Sequence, residues 1–149
     1  NNRVVEDIIG DKEFIEIELI ENQNQFRIPI EFIKKDGSSF SVPIQFDTGA
    51  TGFLIGHRLY QDLLENCEIT DLNVKSEGGG VGSKFITKYI KIKELKIGDF
   101  IIKNVVATVP ISKDNDGNYI NDMLLGIGFL RKFKEVTWSL NNNIMTFRK

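Results

Sequence analysis

Asp47 is the residue of this chain best placed for acid–base chemistry. It begins the sequence Asp47-Thr48-Gly49-Ala50, directly after a stretch of alternating apolar residues, 40–46. A carboxylate that follows a buried strand costs free energy of desolvation unless it is paired or lies at a solvated site. The same residue types also make good turns, so the triplet alone predicts either a reactive site or a turn that ends a strand.

Other residues that commonly do chemistry are scarce. The 149 residues include one histidine, His57, and one cysteine, Cys67. Single copies exclude the common zinc spacings, a thiolate cluster and an internal disulfide. Residues 114–117, Asp-Asn-Asp-Gly, are similar to part of a calcium loop, but Ser112 and Met123 stand where such a loop needs carboxylates. We therefore expect a turn there, no metal and no cofactor.

Two further motifs follow Asp47 along the chain. Four of the five residues 78–82 are glycine, and strand-like segments flank them, which predicts a mobile hairpin tip. A phosphate loop would need Lys where Ser83 stands, and a dinucleotide loop would need a helix where residues 85–92 are strand-like. The other motif, Leu-Leu-Gly at 124–126, precedes a short helix that we expect to reach about Phe133.

The elements that must position these motifs are mainly strands. The chain has 21 Ile and 9 Val but only 2 Ala, a composition that favours β-structure over helix. Alternating apolar residues predict strands at 15–19, 26–32 and 40–46. The polar residues 21–24 should join the first two strands as a hairpin, and the Asp-Gly turn at 35–38 should join the second and third.

The remaining elements follow from the same patterns. An apolar face at helical spacing predicts one helix over about residues 57–66. Strands at 94–97 and 100–109 should be joined by Gly98-Asp99, and a final hairpin should pair residues 136–140 with 144–147. The spacing of short elements indicates one compact domain.

The Asp-Thr-Gly loop, the glycine-rich hairpin and the Leu-Leu-Gly step, in this order, resemble the retropepsin-like aspartic proteases. These are single-lobe relatives of the retroviral and pepsin-type enzymes. The resemblance spans about residues 26–147. It implies an all-β, closed, barrel-like fold with one or two short helices, and a protease domain over residues 21–149. Residues 1–20 would form an N-terminal arm or extra strand, an extension of a dimer interface, or a pro-segment.

The resemblance also implies a role for each motif. Asp47 would be the catalytic carboxylate, Thr48 would hydrogen-bond across a dimer, and Gly49 would let the backbone approach the partner carboxylate and the substrate. Ala50 and Thr51 would continue this active-site loop to Gly52. The flap, which would grip an extended substrate, would be formed by Gly79, Gly80, Val81 and Gly82. The segment that braces the active-site loop would be Leu124, Leu125 and Gly126.

The chemistry of the residues is consistent with this resemblance. Peptide hydrolysis without metal, Cys or His can use two carboxylates that share one proton, one acting on a water and the other on the carbonyl. Asp-Thr-Gly occurs once in the chain. The resemblance therefore implies a C2 homodimer in which each chain contributes one Asp47.

Two positions depart from the patterns of related enzymes. Ala50 lacks the hydroxyl of pepsin-type loops, which implies a mildly acidic pH optimum, as in the retroviral enzymes. Gly128 stands where many relatives have Asp or Asn, and we expect a looser helix cap there.

Composition narrows the partners. The net charge is −2, with 19 Lys and Arg against 21 Asp and Glu, which argues against a nucleic-acid partner. No apolar run approaches the roughly 18 residues of a membrane-spanning helix. The expected partners are a second copy of the chain and an extended peptide or protein substrate. The sequence leaves two alternatives for the compartment: periplasmic or secreted after loss of an N-terminal leader, or cytoplasmic.

Two alternatives remain at the level of sequence. The same fold could serve as a non-catalytic module for dimerisation or peptide binding, although such a module has little need for a desolvated carboxylate pair. An unrelated small β-barrel could instead bind an apolar ligand.

Overall fold

The computed structural model describes residues 8–79, 84–139 and 141–149. Gly80, Val81 and Gly82 of the expected flap lie outside these ranges. The strands are β1 Ile8–Ile9, β2 Phe14–Glu18, β3 Ile20–Asn22, β4 Gln25–Ile33, β5 Ser39–Phe46, β6 Phe53–Leu54, β7 Ile69–Gly78, β8 Phe85–Ile97, β9 Phe100–Pro110, β10 Leu124–Leu125, β11 Glu135–Ser139 and β12 Ile144–Arg148. The helices are α1 His57–Asn66 and α2 Ile127–Leu130.

Six strands close into a barrel. Their order is β9-β6-β10-β5-β4-β8, and β8 pairs with β9 to complete the ring. The pairs β4–β5 and β8–β9 are antiparallel hairpins, whereas β10 runs parallel to β5 and antiparallel to β6. The strands β1, β3 and β7 extend this sheet at β9, β4 and β8. The predicted all-β, closed, barrel-like fold with two short helices is confirmed.

The barrel interior is filled by β-branched and aromatic side chains. Alternation along β4 buries Ile28, Ile30 and Phe32 completely, and β5 adds Ile44. Pro29 and Pro43 lie directly opposite each other in the β4–β5 register, so neither strand needs an N–H from the other at that position. The interior therefore supports β5, which ends at Phe46, directly before Asp47.

The predicted hairpin between residues 15–19 and 26–32 is wrong in its pairing. β2 instead joins a separate sheet of order β11-β12-β2, in which Ile17 faces Met145. The chain changes sheets at Leu19, whose N–H donates to the carbonyl of Asn143 at 2.7 Å. Of the described strands that precede β4, only the short β3 pairs with it. Ile15 and Ile17 are buried in this sheet opposite Phe147 and Met145, and the burial of such side chains stabilises the pairing.

The other predicted elements are confirmed with small differences. Helix α1 has the predicted bounds, with Leu59, Tyr60 and Leu63 buried. The Asp-Gly turn forms with Gly37 at φ +89°, where a glycine is favoured. Helix α2 ends at Leu130, earlier than expected. The next residues, up to Phe133, continue as turns: Arg131 donates its N–H to Ile127, and Lys132 and Phe133 donate theirs to the carbonyls three positions back.

Candidate active site

Asp47 lies at the junction of three short elements. It follows the last residue of β5, and its N–H donates to the carbonyl of Leu125 at 3.1 Å. Leu125 is fully buried in β10 and pairs with Phe46 on one side and Phe53 on the other. The two-residue strand β10 therefore fixes where the backbone of Asp47 emerges from the barrel.

The carboxylate of Asp47 is oriented by its own loop. Its Oδ1 accepts a hydrogen bond from the N–H of Gly49 at 2.9 Å, and its carbonyl accepts from Ala50 at 3.1 Å. A Cβ at Gly49 would stand 3.2 Å from that Oδ1, closer than ordinary contact. Asp47 is half-buried, whereas Thr48 and Gly49 are exposed. The loop thus presents an oriented carboxylate at the protein surface.

The loop and the Leu-Leu-Gly segment are interlocked by backbone hydrogen bonds. Gly126, Ile127 and Gly128 donate N–H groups to the carbonyls of Gly52, Ala50 and Thr51, at 2.9, 3.0 and 2.9 Å. These bonds place Thr51, Ala50 and the start of α2 in one rigid unit with β10. The sequence predicts these segments as neighbours only through the family resemblance, because the two are about 75 positions apart.

Two glycines make this close approach possible. A Cβ at Gly126 would lie 2.4 Å from the carbonyl oxygen of Gly52, and one at Gly128 would lie 2.4 Å from that of Thr51. No side chain fits at either distance without a backbone shift. We expected Gly128 to loosen a helix cap, and its contacts show a different role, since it lets the backbone of Thr51 approach the start of α2.

The hairpin arms on either side of the glycine-rich segment are described up to Gly79 and again from residue 84. The outer part pairs residues 75–78 of β7 with residues 85–88 of β8. Gly78 packs against the ring of Phe85, and Gly79 has a φ of +121° that favours glycine. Two strands of a hairpin therefore lead into the glycine-rich segment, as the sequence predicts for its flanks.

A bulge marks the root of this hairpin. The β7–β8 register shifts between Asp71 and Lys75, and Asn73 within the bulge has a φ of +58°. Asp71 Oδ1 accepts the N–H of Asn73 at 2.8 Å, and its Oδ2 lies 2.9 Å from Lys88 Nζ. Lys88 also lies over the ring of Tyr60 at 5.3 Å. These contacts attach the root of the hairpin to α1.

The electrostatics of this root follow from the same contacts. Hydrogen bonds from Lys88 and from the Asn73 backbone lower the pKa of Asp71 below its ordinary value. Hydrogen bonds to Tyr60 and Asp71 raise the pKa of Lys88. Sequence reasoning missed this group, because the bulge is defined by the β7–β8 register.

Aromatic packing supports the strand that carries Asp47. Trp138 of β11 meets the rings of Phe46 and Phe26 edge to face, with centroids 5.7 and 4.9 Å apart. Its Nε1 is buried and has no partner among the described residues. β11 therefore lies close to the end of β5 that precedes Asp47.

The segment that is similar to part of a calcium loop lies away from Asp47. The segment 114–118 is a turn in which Asp114 Oδ1 accepts the N–H groups of Asp116 and Asn118, both at 2.9 Å.

In the part of the chain that the structure describes, no three His, Cys, Asp or Glu side chains form a cluster suited to a metal. Neither described helix has the length and apolar character needed to cross a membrane.

Comparison with known proteins supports the family and the fold. The family model described as aspartyl protease matches residues 34–129, which include Asp47 and the Leu-Leu-Gly segment. A crystal structure of a retropepsin-like aspartic protease from Rickettsia conorii aligns with a TM-score of 0.58 and 19% sequence identity. The alignment covers 91% of this chain and 90% of that one, and it shows a shared retropepsin-like fold. A search of curated proteins found no match.

Proposed function

Because the chain belongs to the aspartyl protease family, we propose that it is an aspartic endopeptidase that cleaves peptide bonds within extended substrate segments. In this proposal Asp47 is the catalytic residue, and two chains each contribute one. The observation that carries the proposal is the placement of Asp47 at the end of β5, with its carboxylate oriented by the N–H of Gly49. An oriented, partly exposed carboxylate is what water activation needs.

The proposed reaction uses the two carboxylates together. Like charges a few ångströms apart do not both ionise readily, so the pair holds one proton between its oxygens. The ionised carboxylate removes a proton from a water as that water attacks the peptide carbonyl carbon. The protonated carboxyl donates to the carbonyl oxygen, and the resulting diol collapses with protonation of the leaving nitrogen. Because Ala50 lacks the hydroxyl of pepsin-type loops, the proposed pH optimum is mildly acidic, and a rate profile that peaks near pH 2 would contradict it.

We propose that a second copy of the chain pairs with β11. In the described ranges β11 has β12 as its strand partner, and its other edge is open. An open edge offers unpaired N–H and C=O groups to another strand. Trp138 connects β11 to Phe46, so this edge lies on the side of the barrel that carries Asp47. Antiparallel pairing of two β11 strands about a two-fold axis would bring the two Asp47 loops toward each other.

The proposed roles of the other residues follow from their positions. Thr48 and Gly49 are exposed beside the carboxylate, where they can meet the partner loop and the substrate backbone. The carbonyls of Ala50 and Thr51 accept the N–H groups of Ile127 and Gly128, which directly follow the bracing segment. The hairpin that ends in Gly79, Gly80, Val81 and Gly82 would cover an extended substrate and bond to its backbone.

The test is peptide cleavage by wild type and Asp47→Asn across the pH range from 3 to 8. We expect the variant to lose at least about 10³-fold in kcat, since an amide cannot act as the base. Asp36→Asn is the matched control, because Asp36 Oδ1 also accepts an N–H two residues on, from Ser38 at 2.9 Å. Wild-type activity that persists in Asp47→Asn would overturn the mechanism. Peptide binding without cleavage by wild type would favour a non-catalytic module.

A further inference from the structure

The first turn of α1 is capped by a residue far away in sequence. The first N–H groups of a helix have no partner within the helix. Arg58 donates its N–H to Oδ1 of Asn121 at 3.0 Å, and His57 donates its N–H to the carbonyl of Ile120 at 2.8 Å. Asn121 thus does what an N-cap side chain normally does, from 63 positions downstream.

The local N-cap residue cannot supply this bond. Gly56 occupies the N-cap position and has no side chain to accept a hydrogen bond. A Cβ there would stand 2.4 Å from the carbonyl oxygen of Asn121, so a Ser, Thr, Asp or Asn does not fit. The absence of a side chain at Gly56 and the side-chain amide of Asn121 therefore act together to join α1 to the segment before β10.

A stacked pair of rings adds a second attachment nearby. The rings of His57 and Tyr119 are nearly parallel, at 7°, with centroids 3.9 Å apart. The other end of the same loop is tied to β8, because Ile86 donates its N–H to Ser112 Oγ at 2.8 Å. The segment 112–122 is thus fastened at both ends to elements of the described fold.

The attachment at Asn121 lies directly before the bracing segment. Asn121 is three residues before Leu124, which enters between β5 and β6. The carbonyl of Leu125 accepts the N–H of Asp47. The N–H groups of residues 126–128 donate to carbonyls of the active-site loop. A shift at residue 121 would therefore move β10, and β10 fixes the position of Asp47.

We propose that Asn121 is a positioning residue, which fixes the bracing segment against α1 and through it holds the Asp47 carboxylate in place. The catalytic part of this proposal rests on the proposed protease function. The side-chain acceptor is the essential atom, so Asn121→Asp should retain the role and Asn121→Ala should lose it. Aspartate is also favourable near a helix N-terminus.

Amide hydrogen exchange tests the positioning directly and without activity. The probes are the N–H groups of Asp47, Gly126 and Gly128, each bonded across the two segments. We expect exchange at these amides to be about fivefold faster or more in Asn121→Ala and close to wild type in Asn121→Asp. Asp36→Ala is the control, because it removes a comparable turn acceptor at the far end of β5. Unchanged exchange in Asn121→Ala would overturn the proposal.

Kinetics test the catalytic consequence. Per folded enzyme, Asn121→Ala should lose about tenfold or more in kcat with KM within about twofold, and Asn121→Asp should restore kcat. Faster exchange with normal kcat would show that Asn121 orders the loop without positioning the catalytic group, and would overturn that part. If wild type cleaves no peptide, the proposed function itself fails, and the exchange result still decides whether Asn121 holds the bracing segment.

Discussion

At the scale of single residues, the candidate site depends on backbone contacts more than on side chains. Asp47 is held by a carbonyl of β10 and a neighbouring N–H, and its loop is held by three N–H groups from residues 126–128. Two of these donors, Gly126 and Gly128, approach carbonyl oxygens too closely to carry a Cβ. Substitutions at these glycines therefore act on the geometry of Asp47 without touching it.

Gly126→Ala and Gly128→Ala should each lower the free energy of unfolding by about 1–3 kcal/mol, because a methyl group would force the two segments apart. Urea denaturation measures the change. Gly52→Ala is the matched control, since a Cβ there meets no atom within 4 Å, and it should change stability by less than about 0.5 kcal/mol. Equal losses in all three variants would contradict the close-approach explanation.

Asp71→Asn should lower the melting temperature at pH 7, and it should make the melting temperature less dependent on pH in the acidic range. The pKa of Asp71 is lowered in the folded state, so its stabilising effect is present above the ordinary value of 3.8. The effect is lost as pH falls below that value and through the lowered pKa, so the melting curves of wild type and variant should converge there. Thermal denaturation from pH 2 to 7 checks this.

Asp99→Asn is the control for Asp71→Asn. Asp99 pairs with Lys12 at 3.1 Å, but both side chains are 67% exposed, so this pair should contribute little. A melting temperature for Asp71→Asn that stays below wild type by the same amount at every pH would show that the carboxylate charge is not the cause.

At the scale of elements, the two-residue strand β10 organises the site. It lies parallel to β5 and antiparallel to β6, and in this way it joins the strand that precedes Asp47 to the strand that follows residues 47–52. The preceding loop is attached to α1, and the following turn begins α2. The site therefore lies where several short segments converge on one end of the barrel.

Local pattern explains which elements could be predicted from sequence. Helix α1 and the β4–β5 hairpin follow from apolar spacing and an Asp-Gly turn, both of which act within a few residues. The partner of β2 could not be predicted this way, because Ile17 pairs with Met145, far along the chain. Alternation predicts a strand and its buried face, but it does not choose between partners of equal pattern.

The same limit applies to the candidate site. Asp47 could be singled out because its triplet follows a buried strand. Asn121 could not, since its role depends on the close approach of Gly56, a contact between distant segments. The bulge at Asn73 required knowledge of the β7–β8 register.

Thr137→Lys should weaken the proposed homodimer at least severalfold. Thr137 is the exposed central residue of β11, so antiparallel pairing of two β11 strands would place it near its own copy, and two like charges would repel. Sedimentation at several protein concentrations measures the dissociation, and cleavage should recover as concentration rises. Thr146→Lys is the control, because Thr146 faces Thr137 from β12, a strand already paired on both sides. Normal dimerisation of Thr137→Lys would argue against the β11 edge.

At the scale of the whole molecule, the proposal makes activity a property of two chains. The described chain provides one Asp47 loop, one hairpin leading to a glycine-rich segment, and one open β11 edge. In the proposed assembly each loop completes the other, so neither chain alone holds the carboxylate pair. Cleavage should therefore rise more steeply than linearly with protein concentration near the dimer dissociation constant.

The most direct measurement mixes wild type and Asp47→Asn in equal amounts, at constant total protein and after subunit exchange has reached equilibrium. If both Asp47 carboxylates of a homodimer are required, only pairs of two wild-type chains cleave, and activity should fall to about one quarter of wild type. Activity of about one half would mean that each chain acts with its own Asp47 alone, and that result would contradict the proposed shared site.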